Sequence, residues 1–194
     1  MSNAVCKDYA GITEVRASDP QAIERAWQTR TIRPAVRGNG RLMIVAADHP
    51  ARGALGVGAR PTAMNSRTDL LDRLRAALAD PGVDGVLATS DLLDDLLLLG
   101  ALEDKVVFSS MNRGGLAGAR FELDDRMTAA TASATAAARM NGGKMLCRID
   151  LDDPGTVATL ESCARAIDAL ASHGLIAMVE PFMSSRVSGK VRND

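Results

Sequence analysis

Short apolar runs alternate with amphipathic stretches along most of the chain. The first run, residues 42–47, ends at Asp48. Later runs of similar length lie at residues 83–89, 105–110, 144–149 and 175–180. Continuous apolar runs of this length are typical of strands that are buried on both faces. The pattern therefore predicts about five strands within a layered α/β protein.

The stretches between these runs repeat apolar residues at helical spacing. In residues 66–80, for example, Leu70, Leu71, Leu74 and Leu78 fall on one face of a helix. The same reasoning predicts helices at residues 18–30, 66–80, 91–102, 124–140 and 154–172. Residues 184–194 are polar and are predicted to form a tail.

Strands that alternate with helices predict a parallel sheet covered by helices. Right-handed crossovers then leave two architectures, an open flavodoxin-like sheet or a piece of a (β/α)8 TIM barrel. Polar residues at the predicted strand ends favour the barrel, whose enzymes carry their chemistry there. We expect one incomplete barrel over residues 1–194, which lacks its C-terminal strands. It divides into a helix and link (1–40), five strands with their helices (41–183) and the tail (184–194).

Composition excludes several classes of protein. The formal net charge is −1 and aromatic residues make up 3% of the chain, which argues against a nucleic-acid partner. No apolar stretch is long enough to span a bilayer. Three cysteines without C-x-x-C spacing predict neither a disulfide framework nor a metal site, so we expect a cytoplasmic protein.

The candidate chemistry centres on a charged residue in an apolar strand. Lys144 and Arg148 have even spacing, so they share one face of their strand. A buried ammonium is costly without a carboxylate partner, and Asp48 and Glu180 at other strand ends could supply one. Other interpretations stay open, because Lys144 could extend to solvent at a strand start and Asp48 and Glu180 could be loop residues. Arg148 could bind an anionic group or pair with a nearby aspartate.

Three blocks of sequence resemble the DeoC/LacD-type class I aldolases. Residues 42–55, LMIVAADHPARGAL, are similar to the first strand of that family and the turn that follows it. Residues 142–150, GGKMLCRID, resemble its fourth strand, and residues 176–181, IAMVEP, its fifth. The three blocks occur in the family's order and at its spacing across most of the chain.

The resemblance implies a metal-independent carbon–carbon lyase that acts on a small sugar or sugar phosphate through a lysine imine, without a cofactor. Asp48, Lys144 and Glu180 would be the catalytic residues. Polar side chains near the predicted strand ends are the candidate substrate-binding residues: His49, Arg52, Ser109 and Arg148.

The imine lysine of the resembled family sits on the sixth strand, whereas this sequence ends just after the fifth. The lysine nearest its end, Lys190, lies in the predicted polar tail. Lys144 could itself form the imine, as an equivalent fourth-strand lysine does in transaldolase-type barrels. The alternative function is a non-catalytic binding or regulatory domain with an open flavodoxin-like sheet. Exposed edges of an incomplete barrel predict a homo-oligomer.

Overall fold

A computed structural model describes residues 4–36, 38, 40–113, 119, 123–188 and 190–193, the last four by backbone alone. Its helices are α1 Tyr9–Ser18, α2 Gln21–Thr29, α3 Arg67–Ala79, α4 Ser90–Leu98, α5 Ala132–Ala137 and α6 Gly155–Ser172, with a 3-10 turn at His49–Arg52. Its strands are β1 Ile44–Ala46, β2 Gly85–Ala88, β3 Val106–Ser110, β4 Gly142–Ile149, β5 Ile176–Val187 and β6 Lys190–Asn193.

The strands form one sheet in the order β1-β2-β3-β4-β5-β6. Strands β1 to β5 are parallel, and α3, α4, α5 and α6 make the four crossovers between them. The predicted parallel α/β arrangement is thus confirmed. The flavodoxin-like alternative is wrong, because that fold reverses its strand order at a switch point and the described strands show no reversal.

The sheet is curled into a half-barrel. Asp48 follows β1 and Lys144 lies on β4, so three inter-strand spacings, about 14 Å in a flat sheet, separate their strands. Their side chains nevertheless meet, with Lys144 Nζ 2.8 Å from Asp48 Oδ2. Only a curved sheet brings these two side chains together on its concave face.

Side chains alternate between the two faces of the half-barrel. On the convex face, residues such as Val86, Val107 and Leu93 form a core between β1–β3 and the helices α2, α3 and α4. On the concave face, a second apolar cluster comprises Leu87, Val106 and Phe108, with Ile44 and Met178 packed against it. This cluster fills the part of the concave face nearer the amino ends of the strands. The part nearer the ends of β1 and β3 is left for polar residues.

The N-terminal region differs from the sequence-based prediction. It holds two helices rather than one, since α1 begins after Asp8, whose carboxylate accepts a hydrogen bond from the Gly11 amide. The helix predicted at residues 124–140 shortens to α5. Residues before it instead bond to the sheet and to α6, through Ala130 N–H to the Ser110 carbonyl and Asp125 N–H to Thr159 Oγ1.

The C-terminal region differs as well. Strand β5 does not end at Glu180 but continues to Val187, where it pairs antiparallel with β6. The predicted polar tail is therefore largely a hairpin. Pro181 lies inside β5, and this is tolerated because β4 is the only strand paired with that part of β5 among the described residues.

Candidate functional site

Lys144 is the centre of a polar cluster on the concave face. As the third residue of β4, it lies above the apolar layer with a side chain that is only 5% exposed. Its ammonium donates to Asp48 Oδ2 at 2.8 Å and pairs with Glu180 Oε2 at 2.5 Å. The structure therefore brings together the three residues predicted as catalytic, from three separate strands.

Asp48 is held at the end of β1, where the chain turns into the 3-10 helix. Burial alone would raise the pKa of this carboxyl, but the hydrogen bond and positive charge of Lys144, together with His49, outweigh it and lower the pKa. His49 Nδ1 lies 3.8 Å from Asp48 Oδ1, the oxygen that Lys144 does not contact. Asp48 thus has Oδ2 bound by an ammonium, whereas Oδ1 lies beside the His49 ring.

Glu180 is the solvent-facing member of the cluster. Its side chain is 45% exposed, compared with 12% for Asp48. It lies on β5 next to Leu146 of β4 in the strand register. At this position the Glu180 carboxylate is accessible to solvent while it remains paired with Lys144.

The two serines at the end of β3 face opposite sides of the sheet. Ser109, the predicted substrate-binding serine, lies on the convex face, where its Oγ is 3.0 Å from Ser90 Oγ and the residue is fully buried. Ser110 faces the concave side, and its Oγ lies 3.3 Å from Asp48 Oδ2. The site serine is therefore Ser110. Strand alternation allows only one of these two serines to face inward, and the register of β3 against β4 decides which one it is.

Basic side chains surround the mouth of this cluster. A small cavity beside Lys144, about 30 Å³, is also lined by His49, Arg52 and Arg113. Arg113 follows β3 and was not among the predicted residues; its position three residues past the buried strand end is the only sequence signal for it. Arg148 is buried on β4, in register with Phe182 of β5.

A larger cavity, about 700 Å³, opens on the other side of the 3-10 helix. Pro50 and Ala51 line it, whereas His49 and Arg52 line the small cavity, so the 3-10 helix separates the two spaces. Arg67 also borders the large cavity, but its guanidinium is engaged by Asp91 and Asp95.

The cluster has the groups needed for proton transfer next to a fixed positive charge. A carboxylate with one oxygen that the ammonium does not bind can accept a proton from a substrate hydroxyl. An ammonium between two carboxylates can stabilise negative charge that develops nearby. In the described ranges, His, Cys, Asp and Glu side chains do not form a group of three or more that could hold a metal ion. The three cysteines are free thiols.

None of the helices in the described part of the chain combines the length and apolar character that a membrane crossing requires.

Comparison with known proteins relates the chain to a solved structure and to a protein family. The chain aligns over its whole length with the crystal structure of Cgl0159 from Corynebacterium glutamicum (Brevibacterium flavum), with 47% identity and a TM-score of 0.94. It spans 66% of that longer chain. A search of curated proteins found no match. The model of the Cgl0159-like family matches residues 40–194, which include every strand described above, and the chain therefore belongs to the Cgl0159-like family.

Proposed function

We propose that this chain is part of a (β/α)8-barrel aldolase, a metal-independent carbon–carbon lyase that acts on a small sugar or sugar phosphate. The observation that carries the proposal is the convergence of Lys144 with Asp48 and Glu180 beside the carboxyl ends of β1 and β3. Asp48 follows β1, and Lys144 is level with Ser110, the last residue of β3. Enzymes of this architecture place their reacting groups at that end of the sheet. The resemblance of the same three strands to the DeoC/LacD-type aldolases supports the reaction class.

In an aldolase of this class, a lysine amine condenses with the substrate carbonyl and releases water to form an imine. A base then takes the proton of the hydroxyl on the β carbon, that carbon becomes a carbonyl as the bond between the α and β carbons breaks, and the electron pair of that bond moves into the iminium. We assign the base to Asp48, whose Oδ1 is not bound by Lys144. Glu180 would return the proton from solvent.

Lys144 suits an electrostatic role better than that of the amine. A nucleophilic amine must be uncharged when it attacks, whereas Lys144 is bound as an ammonium by two carboxylates. The resembled family carries its imine lysine on a sixth parallel strand, and β6 of this chain is antiparallel. We therefore propose that the amine belongs to the additional third of chain that the longer relative Cgl0159 has.

Substrate charge would be met by the basic side chains at the mouth of the site. Arg52 and Arg113 line the small cavity beside Lys144, and Arg148 lies further along the same face of β4. A guanidinium binds phosphate or carboxylate through two parallel hydrogen bonds. This arrangement favours a substrate with an anionic group over a neutral sugar.

The test is reductive trapping of the imine. Both this chain and full-length Cgl0159 would be treated with borohydride and a panel of aldehydes, ketones and their phosphates, and analysed by peptide mass spectrometry. We expect a substrate adduct on a lysine of Cgl0159 that lies outside the aligned region. In Cgl0159, changing the residue aligned with Lys144 to Met should abolish turnover but leave adduct formation detectable.

A matched control changes the residue aligned with Lys105. In this chain the Lys105 ammonium donates to the Val83 carbonyl and forms no ion pair with a carboxylate among the described residues. This variant should turn over normally. An adduct on the lysine aligned with Lys144 would transfer the amine role to that residue. If no substrate in the panel adds to either protein, the lyase proposal is wrong.

A further inference from the structure

We propose that Ser110 is a positioning residue which, together with Lys144, fixes Asp48 so that Oδ1 is the oxygen available for proton transfer. The inference rests on the proposed function for its meaning in catalysis. The geometry behind it stands on its own, because Ser110 and Lys144 contact the same oxygen, Oδ2, from two different strands.

The hydroxyl of Ser110 lies between two acceptors. Its Oγ is 3.3 Å from Asp48 Oδ2 and 2.8 Å from the backbone carbonyl of Asn112, and the residue is 2% exposed. A single O–H cannot serve both acceptors fully. The ionised carboxylate is the stronger acceptor and the carbonyl is the nearer one, so the hydroxyl is poised between them.

This dual contact suits a carboxyl group that changes its protonation state. The ammonium of Lys144 can only donate, so it serves the ionised form of Asp48. When Asp48 is protonated on Oδ1, Oδ2 is left as a weaker, uncharged acceptor, and Ser110 can turn its O–H to the Asn112 carbonyl. The Ser110 hydroxyl therefore has an acceptor with either form of Asp48.

The segment that carries Ser110 is itself fixed. The side chain of Asn112 accepts from the Leu146 amide at 2.9 Å and donates to the Leu146 carbonyl at 2.8 Å, which ties the end of β3 to β4. Its amide also donates to Asp125 at 3.1 Å. Because Ser110 and Lys144 are neighbours in the β3–β4 register, these bonds hold both contacts to Asp48 in one frame.

The experiment compares Ser110→Ala with Ser109→Ala in this chain. The two serines are adjacent and both are buried, and each substitution removes one hydroxyl group. Ser109, however, faces away from the site. The readout is the titration of the Asp48 carboxyl carbon by NMR, which needs no substrate. Its resonance is assigned with Asp48→Asn.

We expect Ser110→Ala to raise the pKa of Asp48 by about half a unit, because the loss of a donor to the anion outweighs the loss of a neutral contact to the acid. Ser109→Ala should leave the titration unchanged. Ser110→Thr, which keeps the hydroxyl, should restore the wild-type value and also show that an effect of Ser110→Ala is not caused by misfolding. An identical titration in wild type and Ser110→Ala overturns the positioning role.

In full-length Cgl0159, the variant aligned with Ser110→Ala should lower kcat about tenfold with little change in KM. This second arm depends on the lyase proposal, whereas the titration does not. A shifted titration in a protein family that forms no imine would retain Ser110 as a positioning residue and discard the lyase. If Cgl0159 forms the imine, but the serine variant changes neither kcat nor the titration of Asp48, the lyase proposal is retained and the positioning role of Ser110 is discarded.

Discussion

Lys144 and Glu180 form an ion pair in which one partner is buried and the other faces solvent. Their side chains are 5% and 45% exposed, and the two charged atoms are 2.5 Å apart. Water can solvate the Glu180 charge if the pair is broken, whereas Asp48, 12% exposed, depends on Lys144 far more. The buried pair Lys144–Asp48 is therefore the contact on which the stability of the site chiefly depends.

Lys144→Met should destabilise the protein by about 3 kcal/mol at neutral pH, because it leaves the Asp48 carboxylate without its cation. The loss should be smaller at pH 4, where protonation relieves part of the uncompensated charge. Urea unfolding at the two pH values measures this difference.

Lys105→Met is the matched control, since Lys105 donates to a backbone carbonyl and, among the described residues, forms no ion pair with a carboxylate. The change in unfolding free energy caused by Lys105→Met should be the same at neutral pH and at pH 4. An equal loss for Lys144→Met at both pH values would contradict the assigned pairing.

Asp48 should make the protein sensitive to acid. Its pKa is lowered in the folded state, so the stability it contributes is present above the unfolded value of about 3.9 and is lost as the pH falls through the folded value. Asp48→Asn should lower stability by about 1 kcal/mol at pH 6 and flatten its decline below pH 4. Urea midpoints measured between pH 3 and pH 6 would show both effects.

Asp94 provides a comparison of opposite sign. Burial raises the pKa of this carboxyl despite a hydrogen bond from Trp27 Nε1. Stability linked to Asp94 is therefore present below the unfolded pKa and lost as the pH rises through the folded value. Asp94→Asn keeps an acceptor for Trp27 and cannot ionise, so the fall in stability with rising pH that Asp94 causes should disappear. The same pH trend in both asparagine variants would contradict the two assignments.

Much of the site followed from the sequence because strand geometry constrains it. The even spacing of Lys144 and Arg148 placed both on one face of β4, and an inward ammonium required carboxylates from other strands. Asp48 and Glu180 were the acidic residues in the corresponding blocks. The alternation of apolar runs likewise predicted the positions of all five parallel strands.

What the sequence did not predict depends on tertiary contacts. Ser109 and Ser110 are identical side chains at a strand end, and only the register of β3 decides which one faces Asp48. The extension of β5 past Pro181 required a free sheet edge, which no local pattern reveals. Residues around Asp125 have helix-forming neighbours, yet their backbone bonds to Thr159.

Gly142→Ala should be strongly destabilising. A Cβ at this position would overlap the carbonyl oxygen of Ile176 on β5 and crowd the ring of Phe108. Since the obstacle includes backbone of the neighbouring strand, relief requires β4 and β5 to separate, at a cost of about 3 kcal/mol or more. Thermal or urea unfolding would measure the loss.

Gly56→Ala is the control, because a Cβ there meets its nearest atoms at 3.5 Å or more and the backbone does not require a positive φ. It should be neutral or slightly stabilising. If Gly142→Ala were as stable as Gly56→Ala, the close approach of β4 and β5 at Gly142 would be wrong.

Self-association should occur through the outer side of β5 and α6. Apolar side chains there are unusually exposed: Leu160 46%, Ile167 38%, Val179 40% and Met183 50%. In the described sheet the first part of β5 pairs only with β4, so backbone hydrogen-bonding groups lie beside this apolar surface. Large apolar patches on soluble proteins mark sites of association.

Sedimentation equilibrium over a wide range of concentration should show a reversible oligomer for the wild type. The double variant Val179→Lys and Met183→Lys should shift it to monomer, since two ammonium groups cannot be desolvated in such an interface without partners. Val57→Lys, at an apolar residue that is 54% exposed on a distant loop, should leave the oligomer intact. A wild-type protein that stays monomeric at every concentration would contradict the prediction. It would mean that the exposed apolar side chains and the strand edge beside them do not drive self-association.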